Sequence, residues 1–224
     1  MMTIISHKQP FYAVALLCLL CLGNFSYAKN HGSDDADKSW QFKVFLDGEE
    51  IGFHNFAMTH KGDQKVIHTN ARFDVKFLFF TAYSYQHDNV EQWRGQCLET
   101  INAVTNDNGD EFKVSGKIDS DLFIVNTIEK ENAYPSCIKT FAYWDPAFLK
   151  ESMLLNSQTG EMNKVESEFI ANETLVHDGK AMSARRYRLS GDKLQIDVWY
   201  SDEDLWLALE SLTENGRVVR YSMP

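Results

Sequence analysis

Five residues of one segment combine a histidine and a carboxylate with aromatic side chains: Tyr83, Tyr85, His87, Glu91 and Trp93. Their even spacing places them on one face of a β-strand, because side chains alternate with a period of two. A histidine near a carboxylate can move protons as an acid–base pair. A row of aromatic residues with a hydrogen-bonded histidine is also typical of a buried core. The pattern favours the structural interpretation and leaves His87 and Glu91 as the candidates for catalysis.

A zinc site would need several histidines on one surface, and the sequence offers His54, His60 and His68. His54 and His60 share a face of one strand. His68 joins them if the turn at Gly62 has three residues, and it faces the other way if the turn has two. Solvated histidines are the simpler interpretation, so we predict no metal site and no cofactor.

Arg186 and Arg188 belong to the one basic cluster of a chain whose formal net charge is −10. They share a face and could hold a carboxylate or phosphate head group together. Pairing with acidic residues on neighbouring strands is the more ordinary explanation. The overall acidity argues against a nucleic-acid partner. The sequence also lacks G-x-S-x-G, H-E-x-x-H and a glycine-rich phosphate loop, which disfavours the common hydrolase and nucleotide-binding classes.

Three segments place large apolar side chains on both faces of a predicted strand: residues 77–80, 122–125 and 205–209. A sheet with one solvated face should alternate apolar and polar residues instead. One interpretation is a sandwich or closed barrel that buries both faces. The other is a strongly curved sheet whose concave face holds an apolar ligand such as an acyl chain. The residues predicted to line that site are Phe77, Phe79, Phe80, Phe123, Val125 and Trp206.

The amino-terminal residues have the pattern of a secretory signal peptide. Lys8 precedes an apolar stretch from Phe11 to Leu22, and Ser26-Tyr27-Ala28 resembles a cleavage site. We therefore expect a signal peptide over 1–28, a flexible leader over 29–39 and a single β domain over 40–224, with no transmembrane span after cleavage. In an exported protein the remaining pair, Cys97 and Cys137, predicts a disulfide.

Strand periodicity begins at Trp40, and turn signals such as Asp47-Gly48 and Asn215-Gly216 separate the strands. We predict one long strand, with a bend, from Val66 to Thr81. Asp145-Pro146 predicts a short helix that continues to about Leu155. The expected fold is all-β: a large curved antiparallel sheet, a half-barrel or barrel, with one short helix.

Several motifs occur together along the chain: Leu46-Asp47-Gly48, Tyr83-x-Tyr85-x-His87, Phe141 to Pro146, and Val198-Trp199-Tyr200. In this combination the chain resembles an uncharacterised domain-of-unknown-function family of exported bacterial proteins. More distantly it is similar to periplasmic half-barrels that carry lipoproteins or lipids. The resemblance implies a location in the bacterial periplasm and favours lipid binding, and it transfers no catalytic residue.

The leading hypothesis is therefore a periplasmic, non-enzymatic binding protein for a hydrophobic or lipid-derived ligand. One alternative is an envelope enzyme that acts on a lipid or glycan through His87 and Glu91. Another is an interaction scaffold whose apolar face meets an envelope protein partner.

Overall fold

The computed structural model describes residues 37–77, 80–177 and 179–223, and its strands form one antiparallel sheet of fourteen strands. The predicted signal peptide and residues 29–36 of the predicted leader lie outside the described residues. The first eight strands are β1 (Lys38–Leu46), β2 (Glu49–Lys61), β3 (Gln64–Phe77), β4 (Phe80–Arg94), β5 (Cys97–Asp107), β6 (Asp110–Asp119), β7 (Leu122–Asn126) and β8 (Glu131–Pro135). The others are β9 (Met153–Leu155), β10 (Met162–His177), β11 (Lys180–Gly191), β12 (Leu194–Tyr200), β13 (Trp206–Leu212) and β14 (Val218–Ser222).

The strand order places the two ends of the chain side by side in the middle of the sheet. It runs β8-β7-β6-β5-β4-β3-β2-β1-β14-β13-β12-β11-β10-β9. Lys43 of β1 pairs with Ser222 of β14, which joins the two halves. The sheet is not closed, and β8 and β9 form its two edges. The prediction of an all-β fold built on a large antiparallel sheet is confirmed.

Alternation along β1 shows why these residues form strands with one inner face. Trp40, Phe42, Val44 and Leu46 are buried, while the residues between them are exposed or half-buried. Across the sheet the ring of Phe42 lies 4.4 Å from that of Trp206 on β13, between ring centroids. The inner faces of the two halves therefore meet in one aromatic core.

The sheet bends sharply where β1 pairs with β2. Val44 pairs with Gly52 and Phe45 with Glu50, so Ile51 is an extra residue and forms a β-bulge. Gly52 has a φ of 152°, and a Cβ at this position would overlap the carbonyl oxygen of Arg72 on β3. The bend therefore requires glycine, and it makes the inner face concave.

Residues 137–158 cover much of this concave face. Phe148, Leu154 and Leu155 are almost completely buried in the core. Trp144 packs edge-on against Trp93 of β4, with ring centroids 5.3 Å apart. Backbone hydrogen bonds attach the segment to the sheet, from Leu98 N of β5 to Ile138 O at 3.1 Å and from Val165 N of β10 to Ser152 O at 3.0 Å.

The short helix predicted at Asp145-Pro146 is present within this segment as a 3₁₀ helix over Pro146–Lys150. The Asp145 side chain caps it by accepting a hydrogen bond from the backbone N–H of Ala147. The predicted end near Leu155 is wrong, because Met153–Leu155 forms strand β9 and pairs with β10.

The single long strand predicted from Val66 to Thr81 is also wrong. β3 ends at Phe77, β4 begins at Phe80, and the two strands are antiparallel neighbours. The sequence from Lys76 to Thr81 contains no Gly, Pro, Asn or Asp to signal a turn. Because no turn-forming residue interrupts this apolar run, the sequence does not reveal the hairpin.

Side chains, rather than a backbone ladder, link the two edges of the sheet. Tyr134 of β8 donates a hydrogen bond to the carbonyl of Gly160 at 3.4 Å, and Lys130 pairs with Glu161 at 2.9 Å. Gly160 has a φ of 72°, and a Cβ there would lie 2.6 Å from Thr127. The architecture is therefore a half-barrel whose edges approach each other closely.

The Sγ atoms of Cys97 and Cys137 lie at disulfide distance, as the sequence predicts. The pair joins the start of β5 to the start of the covering segment, 40 residues along the chain. A disulfide is compatible with export from the cytoplasm. Within the three described ranges, no helix has the length and apolar character needed to cross a membrane.

Replacing Gly52 with Ala tests whether the bend depends on this residue. We expect a loss of about 2–3 kcal/mol in the free energy of unfolding, because the new methyl group meets backbone that cannot move aside. Urea unfolding followed by tryptophan fluorescence measures the loss. The matched control is Gly62→Ala, at a turn with φ of 65° and no neighbouring atoms, where about 1 kcal/mol is expected. Equal losses in the two variants would contradict this account.

Candidate functional site

A cavity of about 210 Å³ lies between the inner face of β2–β4 and the covering segment. Residues 140–144 and 156–158 form one wall, and side chains from β12 and β14 complete it. Its lining combines polar and aromatic groups. It is a partly open space between the concave face and the covering segment, so we take it as the candidate site.

The polar wall comes from β4, where His87, Asn89 and Glu91 point inward and are each about 95% buried. In the paired strands His54, Ala71, His87 and Thr105 form one row across the sheet. Ala71 is completely buried between the two histidines. Its small side chain leaves room for both imidazole rings to face the cavity.

Glu91 connects this wall to the covering segment. Its carboxylate accepts hydrogen bonds from Asn89 Nδ2 at 2.9 Å, Trp93 Nε1 at 2.9 Å and Thr140 Oγ1 at 3.2 Å. Burial raises the pKa of Glu91 above its ordinary value, and the three donors oppose that rise. Glu91 therefore holds residue 140 against β4 by one hydrogen bond, from Thr140.

Both histidines of the site are kept neutral by their surroundings. Burial lowers the pKa of His87 to about 4, and its Nδ1 lies 2.7 Å from Thr105 Oγ1. Burial and the nearby His87 lower the pKa of His54 to about 3, and its Nδ1 lies 3.2 Å from the Tyr221 hydroxyl. Neutral imidazoles donate or accept hydrogen bonds without attracting an anion.

Two buried polar atoms of the cavity wall have no hydrogen-bond partner within the protein: Asn89 Oδ1 and His54 Nε2. An unsatisfied buried polar atom costs about 1–3 kcal/mol, so such atoms in a native structure call for an explanation. Water or a ligand in the adjoining cavity supplies one.

A network of side chains closes one end of the cavity. Tyr83 donates to Asp107 at 2.7 Å, Gln158 Nε2 donates to Asp107 at 3.1 Å, and Tyr85 donates to Gln158 Oε1 at 3.0 Å. Burial raises the pKa of Tyr85, so its hydroxyl remains protonated. Tyr85 and Gln158, which line the cavity, are thus held in place, and Asp107 lies outside the lining.

The other walls are aromatic and aliphatic. Phe56 and Ile196 line the cavity from the sheet, and Phe141 and Tyr143 line it from the covering segment. Tyr143 is anchored by Trp206, with ring centroids 5.3 Å apart. The site can therefore hold a molecule with both polar and apolar parts.

Four of the predicted apolar lining residues are not in the lining of this cavity: Phe80, Phe123, Val125 and Trp206. Phe123, Val125 and Trp206 are fully buried in the core that the protein fills itself, and they do not line this cavity. Phe80 is 58% exposed. Phe79 lies outside the described residues, and of Phe77 only the backbone is described. A ligand-binding role for these residues stays a prediction.

Arg186 and Arg188 lie on the outer face of the sheet. They pair in register with Trp199 and Asp197, which face away from the core residues Ile196 and Val198. Both arginines donate to Asp197, and Arg188 Nε does so at 2.7 Å. Arg186 also contacts Glu173 at 3.1 Å. Their proposed head-group role stays a prediction, and in this structure acidic neighbours occupy their donors.

The structure brings His87 and Glu91 to one face but keeps them apart. They are four residues apart on a strand, which corresponds to about 13 Å, and each bonds to different partners. His68 pairs with Ala57, so the turn has two residues and His68 faces away from His54. Among the described residues, no cluster of three or more His, Cys, Asp or Glu side chains is arranged to hold a metal.

Sequence reasoning missed Asn89, His54 and Thr140 as parts of one site. A signal was present, because His87, Asn89 and Glu91 are polar residues at three successive inward positions of one strand. Residues 140 and 156–158 gave no such signal, since only the path of the covering segment brings them to β4.

The comparisons with known proteins span most of the chain. A family model described as a domain of unknown function, DUF6134, matches residues 42–223. No curated protein matches the chain. The chain is similar to a solved structure from Brucella abortus, described as a beta-barrel-like protein of domain of unknown function DUF1849, with a TM-score of 0.57 and 8% identity. The likeness covers 83% of this chain and 94% of that one, and at this identity it shows the fold alone.

The two buried histidines predict a specific loss of stability in mild acid. Because their folded-state pKa values are lowered, the unfolded chain binds protons that the folded protein does not, and stability falls as the pH drops below about 6.5. Each histidine accounts for about 2 kcal/mol between about pH 7 and about pH 5. The double variant His54→Gln/His87→Gln should show a flatter profile in urea unfolding over this range. The exposed His68→Gln is the control and should keep the wild-type slope; an unchanged slope in the double variant would refute the assignment.

Proposed function

The chain belongs to the DUF6134 family, a domain of unknown function, and from that premise we propose that it is a periplasmic, non-enzymatic binding protein for a hydrophobic or lipid-derived ligand. The supporting observation is the cavity on the concave face, with aromatic walls on one side and two unpartnered polar atoms on the other. Small-molecule sites are concave and combine apolar walls with a few placed polar groups; here polar and apolar groups contribute about equally to the lining.

The size of the cavity limits how the ligand is held. Drug-sized ligands occupy cavities of about 300–1,000 Å³, and this one has about 210 Å³. It accommodates one end of a lipid-derived molecule, while the rest leaves through the opening. The polar wall suits the head of such a molecule, and Leu194 and Phe141 offer apolar contacts to the part that follows.

Binding is favoured over catalysis by the way the polar side chains are used. Glu91 is occupied by three donors, and His87 by Thr105. The two residues are about 13 Å apart along the strand, which is too far for both to act on one bond, since a general acid or base must lie within hydrogen-bond reach of the proton it transfers. Turnover of a bound lipid or glycan is the outcome that would favour the enzyme instead.

A filled cavity should abolish ligand binding. Leu194 lines the cavity and is partly exposed, so Leu194→Trp places an indole in the space the ligand needs. We expect the protein purified from a Gram-negative periplasm to carry an amphiphile detectable by native mass spectrometry. After delipidation it should bind 1-monooleoylglycerol by calorimetry, and the variant should bind on the order of ten-fold or more weakly.

The matched control is Val104→Trp, on the outer face of β5, where the side chain is 52% exposed. It should bind as the wild type does, and melting temperatures establish that both variants fold. Absence of any co-purifying amphiphile, together with no uptake of lipid probes, would refute the binding function. Capture of a stoichiometric envelope protein with an empty cavity would favour the scaffold.

The periplasmic location predicts the covalent state of the mature chain. Intact mass spectrometry of the exported protein should show a chain that begins at Lys29 and lacks the two thiol hydrogens of Cys97 and Cys137. Alkylation under denaturing conditions should add mass only after reduction. A chain that keeps residues 1–28, or that alkylates without reduction, would contradict export to an oxidising compartment.

A further inference from the structure

We propose that the cavity receives an uncharged head group that carries hydroxyl or amide donors, such as glycerol or a sugar, and that it discriminates against carboxylate and phosphate head groups. This inference names the ligand class for the binding function proposed above and rests on it. It follows from the charges and the hydrogen-bonding atoms of the cavity wall.

The cavity wall offers no positive charge. Among the described residues that line it there is no Lys or Arg, and Glu91 is its one acidic side chain. A carboxylate or phosphate that entered would leave water without gaining a cation, and it would approach Glu91. Moving an unpaired charge into such a site is costly.

The nearest cationic side chains are engaged elsewhere. Lys65 lies over the ring of Trp144, 4.9 Å from its centroid, and pairs with Asp145 at 3.9 Å. Arg72 is on the outer face of β3, where it pairs with Asp88 at 2.7 Å. His54 and His87 add no positive charge either, because burial lowers the pKa of both.

The unpartnered atoms specify what the ligand must supply. Asn89 donates its Nδ2 to Glu91, which fixes the amide so that Oδ1 is left as an acceptor. Oδ1 itself is buried, so bulk water does not satisfy it, and a ligand reaches it only by inserting a donor beside Asn89, which lines the cavity. An ionised carboxylate or phosphate has no hydrogen to give, whereas a hydroxyl or an amide N–H does. His54 Nε2 is a second partner, and a hydroxyl can donate to it or accept from it.

Neutral hydrogen-bonding groups continue around the cavity. Thr69, Ser157 and Gln158 contribute two hydroxyls and an amide to its wall. Together with the aromatic rings of Phe56 and Phe141 they form a surface suited to the polar edges and apolar faces of glycerol or a sugar. A head group with several hydroxyls can use these partners at the same time.

Three probes that share one oleoyl chain separate the head groups: 1-monooleoylglycerol, oleate and 1-oleoyl-lysophosphatidate. Each is titrated into the delipidated full-length mature protein by calorimetry, below its critical micelle concentration. We expect the neutral glycerol probe to bind on the order of ten-fold more tightly than either anionic probe. Equal or tighter binding of an anionic probe would overturn the inference while leaving the binding function intact. Binding of none of the three would refute the binding function itself.

Adding a cation to the wall should remove this preference. Thr69 lines the cavity from β3, so Thr69→Lys places an ammonium group beside the head group and should raise oleate affinity on the order of ten-fold. Thr59→Lys is the matched control, because Thr59 is exposed on the outer face of β2 and the same charge there should change nothing. An unchanged preference in a folded Thr69→Lys protein would contradict the proposal.

Removing the acceptor Oδ1 of Asn89 tests the head-group selectivity in a second way. Asn89→Leu should weaken 1-monooleoylglycerol binding and leave oleate binding as it is, so the selectivity falls towards one. Equal weakening of both probes would show that residue 89 only shapes the cavity, and this would count against the proposed head-group recognition. Melting temperatures compared with wild type establish folding in each case.

Discussion

A strongly curved sheet exposes an apolar concave face to water unless something covers it, and this protein uses its own residues 137–158. Phe148, Leu154 and Leu155 enter the core, and Trp144 packs against Trp93. The bulge at Ile51 and the close approach at Gly52 contribute to this curvature, together with the register shifts between other strands. The curvature of the sheet and the position of the covering segment therefore depend on each other, because a flatter sheet would leave no volume for residues 137–158. The cavity is the space left between the concave face and this segment.

The polar residues of the core are there because they attach the covering segment to the sheet. Glu91 accepts hydrogen bonds from two side chains of its own strand and from Thr140 of the cover. A buried carboxylate is costly unless it is well hydrogen-bonded, but its directional bonds fix the position of the segment. Apolar contacts alone would allow the segment to shift. In the same set of hydrogen bonds, Asn89 Oδ1 is left without a partner beside the cavity. The residues that attach the covering segment therefore also determine the hydrogen-bonding chemistry of the site.

The outer face accounts for the apolar runs and the basic cluster that stood out in the sequence. Trp199, Leu207 and Ala184 form a second small cluster on that face. The guanidinium of Arg186 lies 5.1 Å from the centroid of the Trp199 ring and also bonds to Asp197. Residues that suggested a head-group site thus cover apolar side chains of their own sheet. Much of the apolar surface that suggested a large ligand is buried by the chain itself, and the candidate cavity is smaller and more polar than the site predicted from the sequence.

The sequence alone determined the strand class, most turns, the cysteine pair, the capped helix start at Asp145 and the shared face of Tyr85, His87 and Glu91. These follow from local rules, since side-chain alternation and turn chemistry act over a few residues. Only the tertiary structure decided that β3 ends at Phe77, that a two-residue turn points His68 away from His54, and that residues 137–158 fold back over β4. Such features depend on strand register and on contacts between residues distant in sequence, where a shift of one residue reverses every side chain. The composition of the site was therefore set by packing, because the chain brings Asn89, His54 and Thr140 together only when the sheet has curved around its cover.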